Sequence, residues 1–180
     1  MRIISGKYKG RRIEVPRNIT ARPTTDFAKE GLFNLLFNRI DFEGIDVLDL
    51  FAGTGSISLE FISRDAASVI SIEQSENHCA FIRKTCKLLD INNLILSKTD
   101  VFKFISSTKT KFDVIFADPP YELERLPEMP DLIFKYQLLK PDGLFVLEHS
   151  AKNKFENHPN FSSHRNYGNV NFSFFENKSL

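Results

Sequence analysis

One stretch constrains the fold of this chain more than any other: Val47-Leu48-Asp49-Leu50 running into Phe51-Ala52-Gly53-Thr54-Gly55-Ser56. The first four residues, apolar except for Asp49, read as a buried strand, and Ile57, Leu59, Phe61 and Ile62 follow at near-helical spacing. The pattern is strand, tight loop, helix. Glycines at 53 and 55 let the backbone take positive φ and approach a ligand closely, and the helix behind them offers unpaired N–H groups. A nucleotide-like cofactor is the guest that such a turn accommodates.

From this turn onward β and α alternate. Ser68 to Glu73 reads as a strand, Glu76 to Leu89 as a helix, Leu94 to Ser97 as a short strand and Val101 to Ile105 as a short helix. Lys111 to Ala117 is an apolar strand, Asp131 to Leu138 a helix and Gly143 to Glu148 another strand. Such alternation predicts an α/β fold, a parallel sheet with helices on both faces. Phe161 to Tyr167 and Val170 to Phe175, separated by Gly168-Asn169, read as a hairpin. A hairpin cannot join parallel strands, so this end of the sheet is expected to be mixed, with one antiparallel strand.

Upstream, Arg2 to Val15 is β-prone, broken by Gly6 and Gly10 and stopped by Pro16, and reads as a hairpin or a pair of short strands. A loop continues through Pro23. Thr24, Thr25 or Asp26 then caps a helix whose apolar stripe is Phe27, Leu32, Phe33, Leu35, Leu36 and Phe37. The expected division is a basic arm over residues 1–23 and one domain over 24–180.

Charge separates the two parts. The net charge is only +1, yet the first thirty residues hold eight lysines and arginines against three acidic groups. A basic arm on a mildly acidic body suits a polyanion held at one edge, the plainer alternative being a solvated surface hairpin. Cys79 and Cys86 lack CxxC spacing and read as core thiols in a reducing compartment, with no zinc and no other metal. The opening residues lack the apolar core of a signal peptide, and no run of eighteen apolar residues occurs, so a cytoplasmic protein without membrane contact is expected. Eighteen phenylalanines and no tryptophan mean that most aromatic rings must be core.

Two further positions narrow the ligand. Gly53-Thr54-Gly55-Ser56-Ile57-Ser58 carries serine where a dinucleotide fingerprint has its third glycine. Twenty residues after Gly53, Glu73 ends the next strand, where a carboxylate can grip both hydroxyls of a ribose. The strand Phe112 to Ala117 then leads into Asp118-Pro119-Pro120-Tyr121, and ligands of open α/β sheets sit outside the carboxyl ends of the strands. Neither proline has an N–H, so nearby carbonyls are left to accept bonds from a substrate. An exocyclic amino group on a nucleobase presents two N–H donors, which the Asp118 carboxylate and the Pro119 carbonyl would hold while Tyr121 stacks on the ring. Glu148 and His149 close the following strand and read as a strand-end carboxylate and a surface imidazole.

Asp49-Leu50-Phe51-Ala52-Gly53-Thr54-Gly55 together with Asp118-Pro119-Pro120-Tyr121 resembles the class I, Rossmann-like S-adenosylmethionine-dependent methyltransferases that act on amino groups. Arg22-Pro23-Thr24-Thr25-Asp26, Glu30-Gly31-Leu32-Phe33-Asn34 and the opening Met1 to Arg11 are similar to the bacterial guanine-N2 methyltransferases of small-subunit (16S) ribosomal RNA. Phe27 and Lys29 stand where that family usually carries arginines. The resemblance implies a seven-stranded, mostly parallel sheet with an N-terminal hairpin extension. It also implies S-adenosyl-L-methionine as cofactor and small-subunit RNA or the assembling 30S particle as substrate; a monomer is expected. On the same basis Asp49, Gly53 and Gly55 line the methionine end, Glu73 the ribose, and Asp100 and Val101 the adenine, with Phe51 also among the cofactor-binding residues. Asp118, Pro119 and Tyr121 face the target base; Lys7, Lys9, Arg11 and Arg12 hold RNA phosphates, and Arg22, Pro23, Thr24 and Thr25 close over the site. Three other readings keep part of the pattern: an adenine-N6 nucleic-acid methyltransferase, a nicotinamide oxidoreductase that would leave Asp118 to Tyr121 idle, and a non-catalytic RNA-binding ribosome assembly factor.

Overall fold

The computed structural model describes residues 1–19 and 25–177. Helix α1 (Asp26–Phe37) is capped by Thr25, whose hydroxyl accepts the Ala28 N–H. Then follow β1 (Asp46–Leu50), α2 (Ser56–Ser63), β2 (Ser68–Glu73), α3 (Glu76–Leu89), β3 (Leu94–Lys98), α4 (Val101–Ser107) and β4 (Phe112–Ala117). Helix α5 (Met129–Lys135), β5 (Leu139–His149), β6 (Phe161–Tyr167) and β7 (Val170–Glu176) complete the chain. The seven strands lie in the order β3-β2-β1-β4-β5-β7-β6. The first five are parallel, and β7 runs antiparallel to both of its neighbours, β5 and β6. This is the class I methyltransferase fold.

Side-chain alternation along the strands builds two cores. In β4, Val114 and Phe116 join α1, α2 and α3 on one face, while Ile115 and Ala117 join α4 and α5 on the other. Cys79 is buried and Cys86 half-buried, and burial pushes both thiols above their ordinary pKa.

Two elements differ most from the sequence expectation in their bounds. Helix α5 starts at Met129 after a 3-10 turn, Leu126–Glu128, not at Asp131, because Pro130 sits in the first turn, where its missing N–H is not needed. It stops at Lys135, before Gln137 enters the left-handed region, which leaves Leu138 outside the helix. Strand β5 begins at Leu139 and not at Gly143; it absorbs the Pro141-Asp142-Gly143 turn signal as an irregularity opposite Phe112 to Val114.

The N-terminal segment forms one antiparallel bridge, between Arg2 and Arg12, in place of extended strands. It is fastened to the body by buried Ile3 and Ile13 and by hydrogen bonds to α2. The Ile4 N–H donates to Glu60 Oε1 (2.7 Å), the Lys7 N–H to the Ser63 carbonyl (2.6 Å) and the Tyr8 N–H to Ser63 Oγ (2.9 Å). At Gly6, φ is +79° and a Cβ would lie 1.7 Å from the Ser63 carbonyl oxygen, so only glycine permits this approach.

Lys29 ties α1 into the same joint. Its side chain is 1% exposed and its Nζ reaches the Arg2 carbonyl (2.6 Å), Ser56 Oγ (3.0 Å) and Glu60 Oε1 (3.2 Å). It is an internal strut and has no open face to offer RNA. Phe27, two residues earlier, is 68% exposed, against the expectation that it belongs to the apolar stripe.

Candidate active site

The strand order reverses between β1 and β4, and a cavity of about 560 Å³ opens at the carboxyl ends of the strands there. Four loops wall it: Phe51 to Thr54 after β1, Glu73 and Gln74 after β2, Asp100 to Phe102 around the start of α4, and Asp118 to Leu123 after β4. Residues far apart in the sequence thus face one space. The cavity lining includes Asp49, Phe51, Gly53, Glu73, Asp100, Val101, Asp118, Pro119 and Tyr121. Gly55 stands at the end of the turn, next to the first residue of α2.

The turn is tightly built. Phe51, Gly53 and Gly55 have φ of +63°, +55° and +75°. A Cβ at Gly55 would stand 3.1 Å from Ile82 Cγ1, closer than side chains ordinarily pack. Phe51 is a bulky residue in the left-handed region, a strain of about 1–3 kcal/mol that no local motif announces. Glu73 holds the turn from the next strand: one carboxylate oxygen accepts the Gly53 N–H (2.8 Å), the other those of Gln74 and Ser75 (2.8 Å each). Asp100 caps α4 through the Lys103 N–H (2.9 Å) and accepts Gln74 Nε2 (2.8 Å), so its capping and cavity-lining roles coexist. The loops after β2 and β3 are thereby locked together.

Asp49 is 1% exposed, and its carboxylate accepts both the N–H and the hydroxyl of Ser58. Burial, opposed by the Ser58 hydrogen bond and reinforced by the nearby charges of Asp118 and Glu73, pushes its pKa up to about 7. The folded state therefore holds this proton more tightly than the unfolded chain, whose value is near 3.8. Ionising Asp49 opposes folding, so its effect is absent below about pH 4 and grows to on the order of 4 kcal/mol above about pH 7. Asp49→Asn is expected to flatten the fall in stability between about pH 4 and pH 7. Urea unfolding across that range checks it, and an unchanged slope would contradict the assignment.

Asp118 is half-buried at the end of β4, Pro119 buried and Tyr121 half-buried. The Pro120 carbonyl accepts the Leu123 N–H (2.9 Å), whereas no described residue donates to the Pro119 carbonyl. Tyr121 donates its hydroxyl to Glu148 Oε1 (3.2 Å). The pairing of Ala117 with Leu147 sets Glu148 beside Asp118, so it is more than the plain strand-end carboxylate expected. The long-range register that creates this contact has no sequence signal. His149 corrects a second expectation. It is 2% exposed rather than on the surface; its Nδ1 lies 2.8 Å from the Ser150 carbonyl and its Nε2 2.8 Å from Ser173 Oγ.

The residues expected to meet RNA divide. Lys7, Lys9 and Arg11 are exposed around the tip of the N-terminal segment, over Ser63 at the far end of α2. Arg12 lines a second groove, of about 930 Å³, that shares Thr54 and Ser56 with the cavity. Arg22, Pro23 and Thr24 lie outside the described residues. Among the described residues no group of three or more His, Cys, Asp or Glu is arranged to hold a metal ion, and no helix is long and apolar enough to cross a membrane.

Proteins of known family or structure resemble this chain along most of its length. The profile of the family described as "Conserved hypothetical protein 95" matches residues 1–176. The "Ribosomal RNA small subunit methyltransferase D" of Escherichia coli K12 is 32% identical over 166 residues, spanning 92% of this chain and 83% of its own. The solved structure of a hypothetical protein of Thermus thermophilus covers 98% of this chain and 99% of its own, with TM-score 0.85 and 25% identity. A ribosomal protein L11 methylase from Lactobacillus delbrueckii shares the fold, at 20% identity and TM-score 0.66 over 85% of this chain and 80% of its own.

Proposed function

The chain belongs to the family described as "Conserved hypothetical protein 95" and is a relative of a ribosomal RNA small subunit methyltransferase; from that premise we propose that it methylates the exocyclic N2 amine of a guanine in 16S ribosomal RNA, with S-adenosylmethionine as donor. The observation that carries this reading is the single cavity common to the glycine turn and to Asp118, Pro119 and Tyr121. The residues fit the cofactor. Asp49, Glu73 and Asp118 surround one space with carboxylates, which suits a ligand bearing a sulfonium and an ammonium. Glu73 would hold the ribose, and Asp100 and Val101 the adenine.

When bound, S-adenosylmethionine supplies an electrophilic methyl group. Asp118 and the Pro119 carbonyl accept the two N–H bonds of the target amine, which favours pyramidal nitrogen and brings its lone pair out of conjugation with the ring. The Tyr121 ring, held through its hydroxyl by Glu148, offers the base a flat face. As positive charge develops on nitrogen, Asp118 stabilises it and takes the proton. Positioning contributes on the order of 7–11 kcal/mol, more than the proton transfer.

The test is methyl transfer from labelled cofactor to unmodified small-subunit RNA and particles, followed by nucleoside mass spectrometry. N2-methylguanosine is expected; N6-methyladenosine would overturn the target base, and no transfer to RNA in either form would overturn the activity. Asp49 adds a second expected outcome. A cation beside it favours its ionised form, so cofactor binding releases a proton below about pH 7 and tightens roughly tenfold from about pH 5.5 to about pH 8. S-adenosylhomocysteine, whose sulfur is neutral, should respond less. Calorimetry in buffers of different ionisation heat reads both effects, and pH-independent binding would remove Asp49 from the site.

A further inference from the structure

The groove beside the cavity takes no part in the chemistry above. It runs between the Arg2–Arg12 bridge, the segment through Arg17 and the first turn of α1, and at Thr54 and Ser56 it opens beside the glycine turn. Arg2 is paired with Asp26 (3.3 Å), and Lys29 is buried against Glu60. Arg12 and Arg17, both exposed, have no ion-pair partner among the described residues, and Glu14 is the other carboxylate on the wall. Directly after groove-lining Asp26 stands Phe27, 68% exposed, its ring edge-on to Tyr167 at 5.8 Å between centroids. Tyr167 precedes the β6–β7 turn. Because His149 at the end of β5 pairs with Asn171 near the start of β7, that turn lies at the same edge of the sheet as the cavity.

Guanidinium groups beside an exposed aromatic ring are the combination that binds single-stranded nucleic acid: the cations neutralise phosphates and the ring takes a base in any sequence. A target base that must leave its stack to reach a buried site needs its flanking backbone held nearby. Lys7 and Lys9 are poorly placed for this. The tip that carries them lies over Ser63, seven residues along α2 from Ser56, or roughly 10 Å at 1.5 Å per residue. Resting on the reading of the cavity as an RNA methyltransferase site, we infer that this groove seats the single-stranded RNA flanking the target nucleotide, with phosphates on Arg12 and Arg17 and one base on Phe27.

Fluorescence titration of a labelled single-stranded RNA of mixed sequence, and of the same sequence as a duplex, over a range of salt tests it. Arg12→Ala combined with Arg17→Ala should reduce the slope of log K against log salt by about 1.4, or about 0.7 for each phosphate no longer neutralised. Phe27→Ala should weaken binding roughly tenfold at every salt concentration and leave the slope alone, since stacking releases no counterions. Lys7→Ala with Lys9→Ala should change the slope less than the arginine pair does. An unchanged slope in the arginine variant, a larger loss in the lysine variant, or equal binding of the duplex would each overturn the groove. These salt effects in the variants, together with no methyl transfer by the wild-type protein, would instead sink the methyltransferase reading and leave the groove standing.

Discussion

Asp118→Asn is expected to lower kcat on small-subunit RNA by about 10³-fold while leaving cofactor affinity within a few-fold of the wild type. Asparagine keeps the shape of the side chain and one acceptor oxygen, so the fold and the cavity survive. It loses the negative charge that would stabilise the developing ammonium, and its amide can point a donor at the amine. A second readout separates this chemical role from a structural one. The charge of Asp118 helps to raise the Asp49 pKa, so its removal should lower the midpoint of cofactor-linked proton release. Single-turnover methyl transfer and calorimetry on the same variant measure the two effects. Retained turnover would remove Asp118 from the reaction, whatever the calorimetry gave.

Lys29→Met should have the largest effect on stability. The substitution removes the cation that joins the Arg2 carbonyl, Ser56 and Glu60, and leaves Glu60, itself 0% exposed, with Arg64 as its remaining ionic partner. Breaking one side of a buried pair costs roughly 3–5 kcal/mol, and about 3 is expected here because Arg64 stays. For a domain of this size that lowers Tm by roughly 6–12 °C. Glu60→Gln in the same chain should recover part of the loss, since it removes the buried charge that Lys29→Met exposes to apolar surroundings. Thermal unfolding of the two single variants and the double variant closes the cycle. Simple additivity would show that the two groups do not act as a pair.

The strands and helices were legible in the sequence wherever periodicity was long and caps were explicit. Thr25, one of the three candidates for the cap of α1, does cap it, and the glycine turn lies where its two glycines indicate. Boundaries failed where a turn signal was overridden. The helix expected from Asp131 begins at Met129 with Pro130 in its first turn, and the strand expected from Gly143 begins at Leu139, because its pairing with β4 continues on either side of Pro141-Asp142-Gly143. Exposure failed for a related reason. Lys29 and Phe27 are two residues apart on one helix, and the position of the N-terminal segment, not their polarity, decides which of them is covered.

What the amino-acid sequence determined unaided was local: a strand carrying Asp49 next to its last residue, a turn that needs glycine, acids and a proline pair at strand ends, and the βα alternation that makes the sheet parallel. Each follows from backbone sterics, hydrogen-bond capacity or side-chain period, which act over a few residues. Only the tertiary structure decided which of those strand ends share a cavity, that Tyr121 leans on Glu148, that Glu73 clamps the Gly53 backbone, and that Arg12 and not Lys7 stands beside the site. These contacts join residues brought together by strand order and register. Strand order and register are set by how two apolar faces close over the whole sheet, a sum over the entire core that no short segment contains.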